Sequence, residues 1–551
     1  MRNVIISILL LLAGVCLSGW ERTYGGSSED EGWSVAQTSD GGYIVAGRTE
    51  SFGAGLLDVY LVKTDTVGDT IWTRTYGGSG DDLGFSVAQT SDGGYIVAGL
   101  TESFGAGDYD VYLVKTDSVG DTIWTRTYGG SDDDFSYSVA QTSDGGYIVA
   151  GRTESFGAGL LDVYLVKTDA EGDTIWTRTY GGSDYDGGYS VAQTFDGGYI
   201  VAGYTYSFGA GGCDVYLVKT DAEGDTIWTR TYGGSSWDNA FSVAQTSDGG
   251  YIVAGRTYSF GADEPNVYLI KTDAVGDTIW THTYGGSEYD RGESVAQTSD
   301  GGYIVAGQTY SFGAGGSDVY LVKTDALGDT IWTRTYGGSY SDYGYSVAQT
   351  SDGGYIVAGT FDTGGDVYLV KTDSVGDSIW TRTYGGSDSD WGYSVAQTSD
   401  GGYIVAGETY SFGAGSFDVY LVKTDSLGTS LTINETTAKP EAIVLSAHPN
   451  PFNSAVTISL SCHSRAIGNP EIEIYDMNGR RVENLSVGDG FPVPSSNGRG
   501  NLAPTNIIWQ PSPSLGSGVY LVRAKIGPST QTGCKQGSGT ASTSKRIVYL
   551  K

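Results

Sequence analysis

The sequence predicts an all-β protein: an eight-bladed β-propeller of four-stranded antiparallel blades, followed by a small Ig-like β-sandwich. A tryptophan recurs at intervals of 52 residues, with one interval of 48, and a fixed period of this size indicates a propeller, a solenoid or an array. Composition agrees, because 87 glycines and 41 tyrosines among 551 residues are typical of short strands joined by tight turns. The recurring tryptophans are Trp20, Trp72, Trp124, Trp176, Trp228, Trp280, Trp332 and Trp380.

Residues 1–19 are predicted to be a secretory signal peptide. Arg2 supplies a positive start, residues 4–15 are apolar, and Ser18 and Gly19 are small enough for cleavage. An apolar run of this length is too short to span a bilayer. A lipoprotein signal would place Gly or Ala before the cysteine, but Val15 precedes Cys16, so lipidation is the lesser alternative. We expect no transmembrane segment after the signal is removed.

One repeat reads as four strands, which we name A to D. They are FSVAQT (85–90), YIVAG (95–99), DVYLVKTD (110–117) and TIWTRTY (122–128). Gly and Asp turns separate them. YIVA and VYLV are continuously apolar, which indicates that both faces of the sheet are covered by neighbouring blades. Consecutive antiparallel hairpins favour a propeller over a parallel solenoid.

The ends of the repeat region predict how the ring closes. The region runs from residue 20 to residue 427. It begins with WERTY (20–24), a D strand without its A, B and C strands, and its last repeat has A, B and C strands but no tryptophan-bearing D strand. We therefore predict that the N-terminal strand completes the last blade, which leaves no open sheet edge.

The repeated tryptophan has two interpretations, packing between blades and stacking on a ligand. Its near-identical surroundings in all repeats favour packing.

The repeat resembles two kinds of known propeller. YGGS and SVAQTSDGGYIVAG resemble bacterial and archaeal extracellular propeller repeats, while VYLVKTDSVGDTIW resembles the repeats of quinone-dependent propellers. The first resemblance implies the fold and a location outside the cell. The second implies metal ligands and cofactor-stacking groups in an irregular blade, and no such blade is present, so we predict no cofactor.

The loops between D and A strands each carry an aspartate three residues after the YGGS serine. In propellers these loops share a face with the B–C loops, and that face commonly binds ligands. The aspartates are Asp30, Asp82, Asp134, Asp186, Asp238, Asp290, Asp342 and Asp390. Together with the neighbouring Trp33, Trp237 and Trp391 they form the candidate binding face for carbohydrate, protein or cations. The alternative is that each aspartate satisfies backbone amides of its own turn, which would leave recognition to the variable residues around it.

Signals for metal binding and catalysis are weak. No stretch matches an EF-hand loop, although calcium at an acidic loop remains open. The sequence has only three histidines. It has no zinc-ligand spacing, nucleophile elbow or phosphate loop, and we therefore predict a non-enzyme. Because a pair of carboxylates can hydrolyse glycosidic bonds and carboxylates are abundant here, the alternative is an enzyme acting on extracellular polysaccharide. A net charge of −34 argues against nucleic acid as a partner.

Composition changes after residue 427. Residues 428–441 are predicted to be a linker and residues 442–551 a separate β-sandwich. Its predicted strands are residues 456–461, 471–477, 506–510, 518–526 and 545–551. Cys213, within the repeats, is interpreted as an incidental thiol, whereas Cys462 and Cys534 could pair in an exported protein.

The C-terminal module resembles the type A C-terminal sorting domain of the type IX secretion system. The matching residues are HPNPFN (448–453), IYDMNGR (474–480), SGVYLVRA (517–524) and KRIVYLK (545–551). The resemblance implies export by the type IX machinery, removal of the module, and release or attachment at the cell surface. An adhesive β-sandwich is the alternative.

These observations predict a secreted or cell-surface, non-catalytic propeller for binding or adhesion. We expect a monomer whose partner is an extracellular glycan or protein. A polysaccharide-acting enzyme and a structural surface-layer component are the alternatives.

Overall fold

The computed structural model describes residues 19–261, 264–361 and 365–431, and seven strands beyond them. The chain divides into two compact units, Met1–Ile433 and Asn434–Lys551. The signal peptide up to residue 18, most of the predicted linker, and Cys462 and Cys534 lie outside the described residues.

The first unit is an eight-bladed β-propeller, as predicted, and each blade has the strand order A-B-C-D. The A strands are Asp30–Gln37, Asp82–Gln89, Asp134–Gln141, Asp186–Gln193, Asp238–Gln245, Asp290–Gln297, Tyr343–Gln349 and Asp390–Gln397. The B strands are Tyr43–Thr49, Tyr95–Thr101, Tyr147–Thr153, Tyr199–Thr205, Tyr251–Thr257, Tyr303–Thr309, Tyr355–Phe361 and Tyr403–Thr409. The C strands are Asp58–Thr64, Asp110–Thr116, Asp162–Thr168, Asp214–Thr220, Asn266–Thr272, Asp318–Thr324, Asp366–Thr372 and Asp418–Thr424. The D strands are Thr70–Tyr76, Thr122–Tyr128, Thr174–Tyr180, Thr226–Tyr232, Thr278–Tyr284, Thr330–Tyr336, Ser378–Tyr384 and, for blade 8, Gly19–Tyr24.

The A strands are the innermost. Each contacts the A strand of the next blade, and the A strand of blade 8 contacts that of blade 1. The A strands therefore line the centre of the ring, while the D strands form its outer edge.

Ring closure follows the prediction. Strand Gly19–Tyr24 pairs antiparallel with the C strand of blade 8, with Trp20 opposite Lys423 and Tyr24 opposite Val419. The buried Glu21 carboxylate accepts a hydrogen bond of 2.8 Å from the Tyr420 hydroxyl. A short strand, Ser430–Leu431, pairs in parallel with the N-terminal strand. It lies in the segment predicted as linker, so blade 8 has a fifth strand that the repeat pattern does not contain.

Each recurring tryptophan lies in a seam between blades, as Trp72 illustrates. Its Nε1 donates to the carbonyl of Ser118 in the next blade at 3.3 Å, and its ring meets that of Tyr95 edge-on at 5.7 Å. Gly120, at φ +77°, lies beneath it, and a Cβ there would come within 2.9 Å of the indole. This geometry agrees with the packing interpretation and explains the glycine of the C–D turn.

The SDGG turns are structural. In blade 2 the Lys115 ammonium is nearly fully buried and pairs with Asp92 at 2.9 Å, while the Gly94 amide donates to the same carboxylate at 2.9 Å. Burial alone would raise the pKa of Asp92, but bonds from Lys115 and Thr90 lower it to about 2. The turn recurs from blade to blade because the buried lysine ammonium needs a carboxylate partner.

The described strands of the second unit form two antiparallel sheets. One consists of Val444–His448, Val456–Ser461 and Thr505–Trp509, and the other of Arg481–Ser486, Pro470–Asp476, Gly518–Ile526 and Ala541–Tyr549. The sequence did not predict the strands at 444–448 and 481–486. The Ig-like arrangement of this unit stays a prediction.

Candidate ligand-binding face

The D–A and B–C loops lie together on one face of the ring, which we call the upper face. In blade 1 the Gly26 amide of the D–A loop and the Ser51 hydroxyl of the B–C loop both donate to Oδ2 of Asp30, at 2.7 and 2.6 Å. The Thr49 hydroxyl donates to Oδ1 of the same residue. One carboxylate therefore joins the two loops.

All eight predicted aspartates occupy this position and are 0% exposed. The paired glycine and serine bonds recur at Asp82, Asp134, Asp186, Asp238, Asp290 and Asp390. In blade 7, whose B–C loop is shorter, Asp342 retains the glycine bond, from Gly338 at 2.6 Å. The geometry is that of a loop anchor rather than of a carboxylate ring open to solvent.

The three predicted tryptophans lie in two different places, two of them on the upper face and one at the centre of the ring. Trp237 and Trp391 are exposed on the upper face, by 53% and 38%. Trp33 is half-buried at the centre of the ring, and its ring stacks on that of Phe85 in the next blade at 5.1 Å.

The upper face is divided into two sectors of opposite chemistry. In each of blades 1 to 6, the residue before the anchoring aspartate accepts a main-chain hydrogen bond from the residue after the B strand, at 2.7 or 2.8 Å. In blades 1 to 3 both residues are acidic, and we call these the acidic sector: Glu29 with Glu50, Asp81 with Glu102, and Asp133 with Glu154. In blades 4 to 6 both are aromatic, and we call these the aromatic sector: Tyr185 with Tyr206, Trp237 with Tyr258, and Tyr289 with Tyr310.

The aromatic pairs share one geometry. Their ring centroids lie 6.3 Å apart in blade 4, 5.9 Å in blade 5 and 6.0 Å in blade 6, with interplanar angles of 76°, 78° and 89°. Tyr185 and Tyr206 are 45% and 43% exposed. In blades 5 and 6 one ring of each pair is exposed, Trp237 and Tyr310, and its partner is half-buried. Three T-shaped pairs thus follow one another around the arc.

Electrostatic repulsion marks the acidic sector. Burial, and then the neighbouring Glu102, raise the pKa of Asp81. Burial, and then Asp133, raise the pKa of Glu154. The two sectors therefore differ strongly in charge on the same backbone framework.

A ring of eight side chains, seven aromatic and one acidic, lies at the centre of the propeller, and we call it the inner ring. Its members are Trp33, Phe85, Tyr137, Tyr189, Phe241, Glu293, Tyr345 and Tyr393, one per A strand. Each is the extra residue of a β-bulge, as between Gly32 and Ser34 in blade 1. Bulges redirect side chains, and neighbouring members contact one another, with Tyr137 and Tyr189 at 5.5 Å. Sequence reasoning found only Trp33, although a varying residue before each SVAQ was the available signal.

An acid pair lies at the seam between blades 8 and 1. Glu408 and Glu31 are 3% and 9% exposed. The Tyr393 hydroxyl donates to Glu408 at 2.9 Å, and Arg48 forms an ion pair with Glu31. Burial, and then the charge of Glu31, raise the pKa of Glu408 to about 8. The symmetry-breaking pair was not predicted, since its members come from different strands of the two end blades.

Among the residues described, no three or more His, Cys, Asp or Glu side chains converge on one point in a way that would hold a metal ion. The prediction of no cofactor, with calcium at an acidic loop as the alternative, stays a prediction.

Comparison with known families decides how the protein is sorted. The model of a secretion system C-terminal sorting domain matches residues 446–492. The chain carries a type IX sorting domain. The protein is therefore secreted or attached to the cell surface, and the type IX machinery is its export partner. No helix within the described residues is long and apolar enough to cross a membrane.

Other similarities are weaker. The regulatory protein FlaEY of Caulobacter vibrioides is 26% identical over 328 residues, which cover 53% of this chain and 33% of that protein. This chain thus spans about a third of that relative. A fungal alcohol oxidase of the AA5 family in complex with copper aligns over 97% of this chain and 100% of its own, at 11% identity and a TM-score of 0.37. A puromycin hydrolase mutant aligns over 69% of this chain and 59% of its own, at 14% identity and a TM-score of 0.39. Sequence identities and TM-scores this low do not bear on function.

Proposed function

We propose that this secreted or cell-surface propeller is a non-catalytic binding protein whose aromatic sector binds an extracellular polysaccharide. The observation that carries the proposal is the succession of T-shaped aromatic pairs in blades 4, 5 and 6, each of which has at least one exposed ring. Tyr and Trp present large, rigid, amphipathic surface at low entropic cost. Sugar rings, with one apolar face and a rim of hydroxyls, match such side chains.

The repetition of the pairs favours a polymer over a single small ligand. Equivalent pairs recur once per blade on one framework, so that successive units of a chain meet the same chemistry. Weak contacts at three such positions add through effective concentration. The Phe side chains of the SFGAG loops, such as Phe208 and Phe260, are also exposed, by 45% and 41%, and extend the apolar surface outward.

The aspartates have a supporting role in this proposal. Because each anchoring carboxylate is buried and bound within its own blade, it fixes the loops that carry the aromatic pairs. Ligand contact falls to the variable residues beside them, Trp237 and Trp391 among those predicted.

A glycan array probed with the full-length protein tests the proposal. The test variant is Tyr206→Ala/Tyr258→Ala/Tyr310→Ala, and the matched control is Glu50→Ala/Glu102→Ala/Glu154→Ala at the same repeat positions. We expect wild type and control to bind, and the aromatic variant to lose about 1 kcal/mol or more per ring, as truncated anchor residues do. Binding that survives in the aromatic variant would overturn the proposal.

The observation that bears on the alternative of a polysaccharide-cleaving enzyme is the pair of carboxyls formed by Glu31 and Glu408. Both carboxyls are nearly inaccessible, and Arg48 and Tyr393 already engage them. This arrangement favours a role in the seam. Release of reducing sugars from any bound glycan, abolished by Glu408→Gln, would establish the enzyme instead.

A further inference from the structure

Arginine 256 lies between two pairs of the aromatic sector. Its guanidinium carbon is 5.7 Å from the centroid of the Tyr258 ring in blade 5. Its Nη1 donates to the hydroxyl of Tyr289 in blade 6 at 3.0 Å. Arg256 therefore joins two neighbouring aromatic pairs at the place where a chain passing from one to the other would lie.

A second guanidinium stands close by. Arg291 lies over the ring of Phe241 at 4.0 Å, and Arg256 lies over the same ring at 5.9 Å. The nearby carboxylate, Glu293, pairs with Nε of Arg291 at 2.6 Å. Of these two cations, only Arg291 forms an ion pair with Glu293.

Arg256 has no carboxylate within ion-pair distance among the described residues. Its other polar contact is a long bond from Nε to the Asn239 side chain, at 3.4 Å. Buried charges are ordinarily paired, and in a chain with a net charge of −34 carboxylates are abundant, yet Arg256 is half-buried without an ion pair among the described residues. Arg152, at the same repeat position in blade 3, is half-buried and likewise forms no ion pair with a described residue. By contrast, Arg48 at the same repeat position in blade 1 forms ion pairs with Glu31 and Glu29.

We propose that the polysaccharide is anionic and that Arg256 binds its acid group, a uronate carboxylate or a sulfate ester, while the flanking aromatic pairs bind its rings. This inference rests on the proposed function and adds the charge of the ligand to it. Guanidinium binds carboxylate and sulfate through paired, charge-assisted hydrogen bonds. Stacking on Tyr258 and Phe241 fixes the plane of the guanidinium and leaves its unused N–H groups for the ligand.

Substitution at this position is compatible with the fold. The equivalent residues of blades 2 and 6 are Leu100 and Gln308, so Arg256→Gln reproduces a side chain that the repeat already carries. Arg256→Leu serves as a second variant. The matched control is Arg230→Gln, which removes the same charge from the outer strand of blade 4, where Arg230 pairs with Asp277 of blade 5 at 3.3 Å.

The test measures binding of the full-length protein to two matched pairs of polymers: polygalacturonate against its methyl ester, and κ-carrageenan against agarose. We expect one charged polymer to bind at least about tenfold more tightly than its neutral partner, the effect of a charge-assisted hydrogen bond. Which pair shows the preference distinguishes carboxylate from sulfate. Arg256→Gln should abolish the preference, and Arg230→Gln should retain it.

Four results would overturn the inference, and they separate it from the proposed function. Equal binding of charged and neutral polymers, or a preference that survives in both Arg256 variants, refutes the inference and leaves glycan binding intact. Tighter binding of poly-glutamate than of either charged glycan would indicate an acidic protein partner. Failure of the wild type to bind any polymer in the panel would overturn the proposed function, and the inference with it.

Discussion

The amide of Tyr206 donates to the carbonyl of Tyr185 at 2.8 Å, and the two rings above this bond cross at 76°. The same bond joins Glu102 to Asp81 two blades earlier, again at 2.8 Å. The backbone of the upper face is thus repeated, and only the side chains decide whether a blade is acidic or aromatic.

Because the backbone is the same in both sectors, the acidic pairs should be replaceable by aromatic pairs. Asp81→Tyr/Glu102→Tyr should create a fourth aromatic pair in blade 2 without loss of stability, because the side chains at these positions are exposed or half-buried. Affinity for a long glycan should rise several-fold through added valency. Isothermal titration measures the change, and Asp81→Asn/Glu102→Gln controls for the loss of charge. An affinity no higher than that of the control would contradict the prediction.

The seam tryptophans should be scaffold residues. Trp124 is buried and donates to the carbonyl of Ala170 in the next blade at 3.1 Å. Trp124→Ala should lower the free energy of unfolding by about 3–5 kcal/mol, as for other large buried aromatics. Trp237→Ala, which removes an exposed indole, should change it by no more than about 0.5 kcal/mol. Denaturant titration of both variants checks the difference, and equal effects would refute the packing assignment.

The N-terminal strand should hold the ring closed. Removal of residues 20–24 takes away the strand paired with Asp418–Thr424 and opens the seam that Trp20 fills. We expect a sharply lower melting temperature by calorimetry. Arg22→Ala, which alters an exposed position of the same strand, should melt close to wild type. If the deletion melted like wild type, closure by this strand would be wrong.

The acid pair predicts a pH dependence of stability. The pKa of Glu408 is about 8 in the folded protein and near 4.5 in the unfolded chain. Between pH 4.5 and 8, the Glu408 carboxyl is therefore protonated in the folded state and ionised in the unfolded state. Stability should fall as the pH rises from about 4.5 to 8, by an amount on the order of 5 kcal/mol, and should level off above that range. Glu408→Gln should remove this fall and be more stable than wild type at pH 8.

Chemical denaturation across this pH range measures the effect. Glu50→Gln, at an exposed position of the acidic sector, is the control and should follow the wild-type curve. A Glu408→Gln curve parallel to that of the wild type would show that Glu408 is not the titrating group.

The sequence was sufficient for the propeller because a repeat shows its strands, turns and closure many times. YIVA and VYLV predict covered sheet faces, and WERTY without preceding strands predicts the closing strand. The division of the upper face was harder to see. Its two positions lie 21 residues apart, as do Asp81 and Glu102, and only the main-chain bond shows that they belong together. The Glu31 and Glu408 pair could not be predicted, since ring closure alone brings blade 8 against blade 1.

The aspartates show how a repeated signal can point to the scaffold. Their presence in all eight repeats suggested a ring of charge, but a group needed in every blade is one that every blade uses internally, as the bonds to Asp30 and Asp134 illustrate. In the proposed function, recognition depends on residues that differ between the repeats, as the aromatic pairs of blades 4 to 6 do.

Hydrogen exchange on the full-length protein, with and without the glycan it binds most tightly, shows which loops of the upper face contact the ligand. If the aromatic sector is the binding site, bound glycan should slow exchange in the B–C loops of blades 4 to 6, at residues 206–213, 258–261 and 310–317. The equivalent loops of blades 1 to 3 should exchange as they do in the free protein. Protection confined to the acidic sector, or spread equally over all eight blades, would contradict the account.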